Sequence, residues 1–114
     1  MRIQDRTIGA VAVLELDGRL TANEPPGLLK AAVEAAIARG SIDVVIDLTG
    51  VGYMDSTRLG ELIAAHVTVS RRGGRLTLAA VPPRVLELLR MAGLENVFDR
   101  FESVGAAAAH LQEP

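Results

Sequence analysis

Asp55, Ser56 and Thr57 stand consecutively in the stretch VVIDLTGVGYMDSTRLGELIAAH (residues 44–66), a carboxylate followed by two hydroxyls. A serine hydroxyl can accept a phosphoryl group, which brings roughly −1.5 to −2 charges with it. If Ser56 lies at or just inside a helix N-terminus, the free backbone N–H groups and the helix dipole favour that negative group. Asp55 would repel it. The plainer role for Asp55 or Ser56 is that of a helix cap, a contribution of about 1 kcal/mol. A cap uses one side chain, and three polar residues are present.

Other chemistries fit the pattern less well. Ser56 with His66 or His110 would be a hydrolase pair, yet MDSTR is not a Gly-x-Ser-x-Gly elbow and nothing sets an oxyanion hole. His66 lies at helical spacing from Leu59, which places it at the edge of a core. RRGGR (residues 71–75) lacks the spacing and the Lys-Ser/Thr ending of a phosphate loop. It reads as a helix stop followed by a strand entry, its arginines forming a solvated face. Asp43, Asp47 and Asp55 have no metal-ligand spacing and no histidine close in sequence. No metal and no cofactor are expected.

These residues need elements to hold them. Residues 8–18 read as a strand closed by Gly18, with Val11, Val13, Leu14 and Leu16 apolar, and MRIQDR pairs with it as a short antiparallel strand. A helix follows, with Asn23 as N-cap, Glu24 at its start, Pro25 and Pro26 in its first turn, and Gly40 at its end. Its inward residues are Leu28, Leu29, Ala32, Val33, Ala36 and Ile37. Residues 42–48 are apolar nearly throughout, as in a central strand buried on both sides. The spacing predicts a second helix from about Ser56 to Arg71, with Leu59, Leu62, Ile63, His66, Val67 and Ser70 on one face. A strand over 75–81 comes next. A third helix starts at Pro82 and Pro83, with Val85, Leu88, Leu89 and Ala92 inward and Gly93 at its end. A strand over 97–101 and a short terminal helix complete the chain. Strands alternating with helices imply a mainly parallel sheet with helices over it. Residues 49–57 then lie beyond the carboxyl end of the central strand, where functional residues gather in such sheets.

Composition narrows the function. The 114 residues fit one domain, residues 1–114, and no linker, repeat or low-complexity tract divides them. The chain is 49% hydrophobic but only 3% aromatic, so its core is aliphatic and it lacks the stacking platforms of single-strand binders. A net charge of −2 gives no basic field for nucleic acid. There is no cysteine, hence no disulfide framework. The first ten residues lack the apolar segment of a signal peptide, and no apolar run reaches the roughly 18–20 residues that span a bilayer. A cytoplasmic protein without membrane insertion is the expectation.

The stretch VVIDLTGVGYMDSTRLGEL, with RRGGRLTLAAVPPRVLELLRMAGLENVFDRFESVGAAAAHL after it, resembles the STAS domain, and within it the bacterial anti-sigma-factor antagonists. The most specific part runs from Asp47-Leu48 through Met54-Asp55-Ser56-Thr57 to Leu59-Gly60. The resemblance implies an α/β fold of STAS (antagonist-like) type: a small mixed, mainly parallel sheet with helices packed mainly on one face. It also implies a phosphorylation-switched binding module with no catalytic activity. The partner would be an anti-sigma factor that is itself a serine kinase; unphosphorylated antagonist binds it and frees the sigma factor. Phosphate on the first hydroxyl after the Asp, here Ser56 rather than Thr57, releases it, and a serine phosphatase resets the switch. The partner surface carried over comprises Arg19, Thr21, Asn23, Asp55, Ser56, Thr57 and Arg58. Three positions depart from the family pattern. Arg58 replaces a Gly and is expected at the exposed surface, pairing with Asp55 or with a phosphate on Ser56. Where the family often reads Gly-Glu-Leu-Asp, this chain has Gly18-Arg19-Leu20-Thr21, so Arg19 replaces the Glu and Thr21 replaces an Asp near the serine. The alternative duty within the family is a scaffold or transporter-associated subunit without a phosphorylation switch.

Overall fold

The computed structural model describes residues 1–21, 23 and 26–113. Among them the elements run β1 (Arg2–Ile8), β2 (Val11–Leu20), α1 (Leu28–Ala38), β3 (Asp43–Met54), α2 (Ser56–Arg71), β4 (Leu76–Ala79), α3 (Pro83–Met91), β5 (Asp99–Phe101) and α4 (Val104–Leu111). The sheet order is β1-β2-β3-β4-β5. β1 pairs antiparallel with β2 and the remaining pairs are parallel, giving the mixed, mainly parallel sheet expected.

Strand side chains alternate between two cores, as the two-residue period demands. Ala12, Leu14, Leu16, Val44, Ile46, Leu48, Leu76 and Leu78 face the larger core. There they meet Leu29, Val33 and Ala36 of α1, Leu59, Leu62, Ala65 and Val69 of α2, and Val85 and Leu89 of α3. Val11, Val13, Val45 and Ala79 point the other way and are covered by Ala107 and Leu111 of α4. Helices thus lie mainly on one face. Both faces of β3 are buried, which is why residues 44–48 are almost unbroken apolar sequence. Each fully buried Leu, Ile or Val contributes roughly 1.5–3 kcal/mol relative to exposure.

Several expected boundaries move. β2 does not close at Gly18, and β3 does not end at Leu48. Both continue, with Gly18 paired to Val51, Arg19 to Tyr53 and Leu20 to Met54. Register irregularities between Glu15 and Asp17 and between Gly18 and Arg19 absorb the mismatch, helped by the positive φ of 105° at Gly18. Residues 49–54 are therefore strand, and the carboxyl end of β3 lies at Met54. α1 starts at Leu28 instead of at an Asn23 cap, because Gly27 before it is left-handed, with φ 87°. Asn23 lies in a turn; Glu24 and Pro25 lie outside the described residues. Leu28, Val67, Ser70 and Ala92 prove exposed, while Ala65 and Val69 take core positions in α2. β4 and β5 are shorter than expected.

Candidate functional site

The site begins where β3 hands over to α2. Asp55 is extended (φ −98°, ψ 175°) and caps the helix: its carboxylate accepts the backbone N–H of Arg58 at 3.0 Å. Its own backbone N–H donates to the Leu20 carbonyl at 2.9 Å, so the ends of β2 and β3 meet at the first turn of α2. Ser56 and Thr57 are the first two helical residues, and both are exposed. Asp55 takes the cap, and both hydroxyls remain outside it.

The two hydroxyls open onto different grooves. Ser56 lines a groove of about 650 Å³ with Tyr53, Arg84, Glu87, Leu88 and Met91, between the end of β3 and α3. Thr57 lines a second groove of about 420 Å³ between α1 and α2, with Lys30, Val33, Arg58, Glu61 and Ala65.

Arg58 departs most from expectation. It is 3% exposed and therefore not a surface residue. Its Nε donates to the Thr21 carbonyl at 2.8 Å, and its Nη1 pairs with the Glu61 carboxylate one turn along the helix. The other Glu61 oxygen accepts the Gly27 N–H at 3.1 Å. A buried guanidinium needs such partners, since an unpaired one would be strongly unfavourable. The preceding carbonyl, that of Leu20, accepts the Asp55 N–H, so two consecutive residues at the end of β2 are tied to the start of α2.

Of the other expected partner-surface residues, Arg19 is exposed, with its guanidinium 4.8 Å from the centroid of the Tyr53 ring. It therefore borders the Ser56 groove through a residue that lines it. Thr21 is half-buried and joined to α2 through its carbonyl. Asn23 is exposed on the same connection. Sequence reading missed Tyr53, Glu61, Arg84 and Met91. Glu61 carried a usable signal, an acidic residue three places after Arg58 on a helix. Arg84 and Met91 reach the groove only through the packing of α3, and no local pattern announces that.

The histidines stand apart from Ser56. His66 is ten residues along the same helix, about 15 Å by the helical rise, and packs edge-on against Phe98 at 5.2 Å. His110 stacks on Phe101 from α4, across the sheet. Two of the aspartates are engaged away from Ser56: Asp47 accepts the N–H and hydroxyl of Thr49, and Asp43 accepts the N–H of Arg75 from the entry to β4. Gly73 and Gly74 end α2 and lead into β4, as the sequence indicated. Among the described residues no helix is long and apolar enough to cross a membrane.

Comparison with known proteins agrees with the fold. The family model described as "Mlab, STAS domain" matches residues 3–102. The chain is 34% identical over 71 residues to the anti-sigma-B factor antagonist of Listeria monocytogenes serovar 1/2a, an alignment covering 62% of this chain and 62% of that protein. In three dimensions it resembles the crystal structure of an anti-sigma factor antagonist from Mycobacterium paratuberculosis, with a TM-score of 0.84 at 21% identity over 98% of this chain and 94% of that one. It also resembles the Bacillus cell fate determinant SpoIIAA in its phosphorylated form, with a TM-score of 0.71 at 17% identity over 97% of this chain and 100% of that one.

Proposed function

The chain belongs to the STAS domain family, and we propose that residues 1–114 act as one STAS unit, an anti-sigma-factor antagonist working in the cytoplasm. In this reading it is a binding switch and performs no catalysis. Its partner is an anti-sigma factor with serine-kinase activity, which it sequesters so that a sigma factor is freed. Phosphorylation of Ser56 ends the complex, and a serine phosphatase restores it.

The observation that carries this reading is the division of labour at the start of α2. Asp55 supplies the cap, so modification of Ser56 costs the helix no hydrogen bond. The Ser56 side chain is exposed on a groove with an apolar ledge, Leu88 and Met91, and Met91 is 80% exposed. A packed partner there would meet roughly −1.5 to −2 new charges beside Asp55, enough to drive release. The related SpoIIAA is known in a phosphorylated form. Arg19, Tyr53 and Thr21 extend the proposed surface along the end of β2; Thr57 and Asn23 lie at its margin, and Arg58 supports it from inside.

The test is recovery of the partner from native lysate, followed by incubation of the purified pair with ATP. A single phosphate on Ser56, lost in Ser56→Ala but retained in Thr57→Ala, and release of the native protein alone are the expected results. A stable complex with an active kinase and no phosphate on Ser56 would replace this reading with that of a constitutive scaffold or transporter-associated subunit.

A further inference from the structure

Arg58, expected at the surface beside Asp55 or a phosphate on Ser56, is held inside by Thr21 and Glu61. The groove that Ser56 lines contains a different cation, Arg84, in the first turn of α3. Arg84 is exposed and makes no hydrogen bond or ion pair among the described residues. The other arginine of α3, Arg90, pairs with Glu95 at 2.9 Å and does not line the groove. One uncommitted guanidinium and one uncommitted hydroxyl thus share a groove, with the apolar surface of Leu88 and Met91 beside them.

From this arrangement we infer that Arg84 is the receiver of the phosphoryl group on Ser56, holding it across the groove from α2 to α3. The inference rests on the switch reading above and adds its mechanism. A guanidinium matches phosphate oxygens with two parallel N–H donors, which gives direction as well as attraction. A phosphate so held lies over Leu88 and Met91 and covers the ledge that a partner would use. Phosphorylation then closes the docking groove in addition to charging its rim. Asp55 and Glu87 also border the groove and oppose the phosphate, so Arg84 determines whether it is drawn across or pushed to solvent.

The experiment installs phosphoserine at position 56 of the full chain during translation and follows its ³¹P resonance through the second ionisation, near pH 6. Asp55, Glu87, Arg19 and the α2 dipole act equally in every variant, so differences isolate the arginine. Arg84→Gln is expected to raise the midpoint by about half a pH unit relative to the native sequence at low salt. Arg90→Gln, which removes the same charge from the same helix outside the groove, is expected to leave it in place. Coincident midpoints for the native and Arg84→Gln proteins, or an equal shift in Arg90→Gln, would overturn the inference. Because the phosphate is installed without a kinase, failure of a kinase to modify Ser56 would sink the switch and leave this result standing.

Discussion

Arg58 and Glu61 form an ion pair on the inner side of α2, and between them they hold both ends of the β2–α1 connection: Arg58 grips the Thr21 carbonyl and Glu61 the Gly27 N–H. The position that family resemblance assigned to the partner surface is thus occupied by an internal strut. The partner would read its effect indirectly, through where the strut sets Thr21 and the adjoining Arg19.

Removing one half of the strut strands the other. Glu61→Ala is expected to lower stability by about 2–3 kcal/mol, toward the low end for a broken buried pair because Glu61 keeps some exposure. Adding Arg58→Met to it should recover much of that loss, since the uncompensated charge is gone. Urea denaturation of both singles and the double gives the coupling directly. Additive effects within about 0.3 kcal/mol would show that the two side chains do not support each other.

The central strand makes a blunter prediction. Val45 is fully buried in β3 against the α4 side. Val45→Asp places a carboxylate there with no partner, and the domain should fail to fold. A native melting transition in that variant would mean that residues 44–48 do not occupy the middle of the sheet.

How much of this was legible follows the physics of each signal. The bounds of α2 could be read because Asp55 and the Gly73-Gly74 pair punctuate locally. Residues 44–48 could be read because burial on both faces forces a continuous apolar run. The extension of β3 to Met54 could not, since Gly50 and Gly52 argue against a strand unless the far half of β2 comes to pair with it. The start of α1 misled for the opposite reason: Asn23-Glu24-Pro25-Pro26 has the composition of a helix start, yet the helix begins after the left-handed Gly27. At the site, Asp55 and Ser56 were visible as local chemistry. The burial of Arg58 was not, because an arginine in a first turn is ordinarily solvated, and one of the partners that hold it inside, the Thr21 carbonyl, is distant in sequence.

Arg19 offers a test of the surface that spares the fold. Its guanidinium stacks over Tyr53 at an exposed site, an interaction of about 0.5–1 kcal/mol. Arg19→Glu should therefore shift stability by no more than about 1 kcal/mol, while weakening the recovered partner at least tenfold if charge at this rim is read. Parallel thermal melts and titration calorimetry separate the two effects. Unaltered affinity would move the interface off the end of β2.

Gly60 allows stability and the proposed binding to be tested together. It lies four residues after Ser56, on the same exposed side of α2, and a Cβ built on it meets nothing within 4 Å. A glycine inside a helix costs about 0.5–1 kcal/mol relative to alanine, and no positive φ requires it here. For the isolated chain, Gly60→Ala should thus be stabilising, raising Tm by several degrees. The missing side chain makes sense if a partner backbone approaches that strip closely, since only glycine leaves room for it. Gly60→Ala is then expected to bind the partner at least tenfold more weakly while melting at a higher temperature. A gain in stability with undiminished affinity would show that the partner does not cover this turn of α2, and would confine the interface to the Ser56 groove and α3.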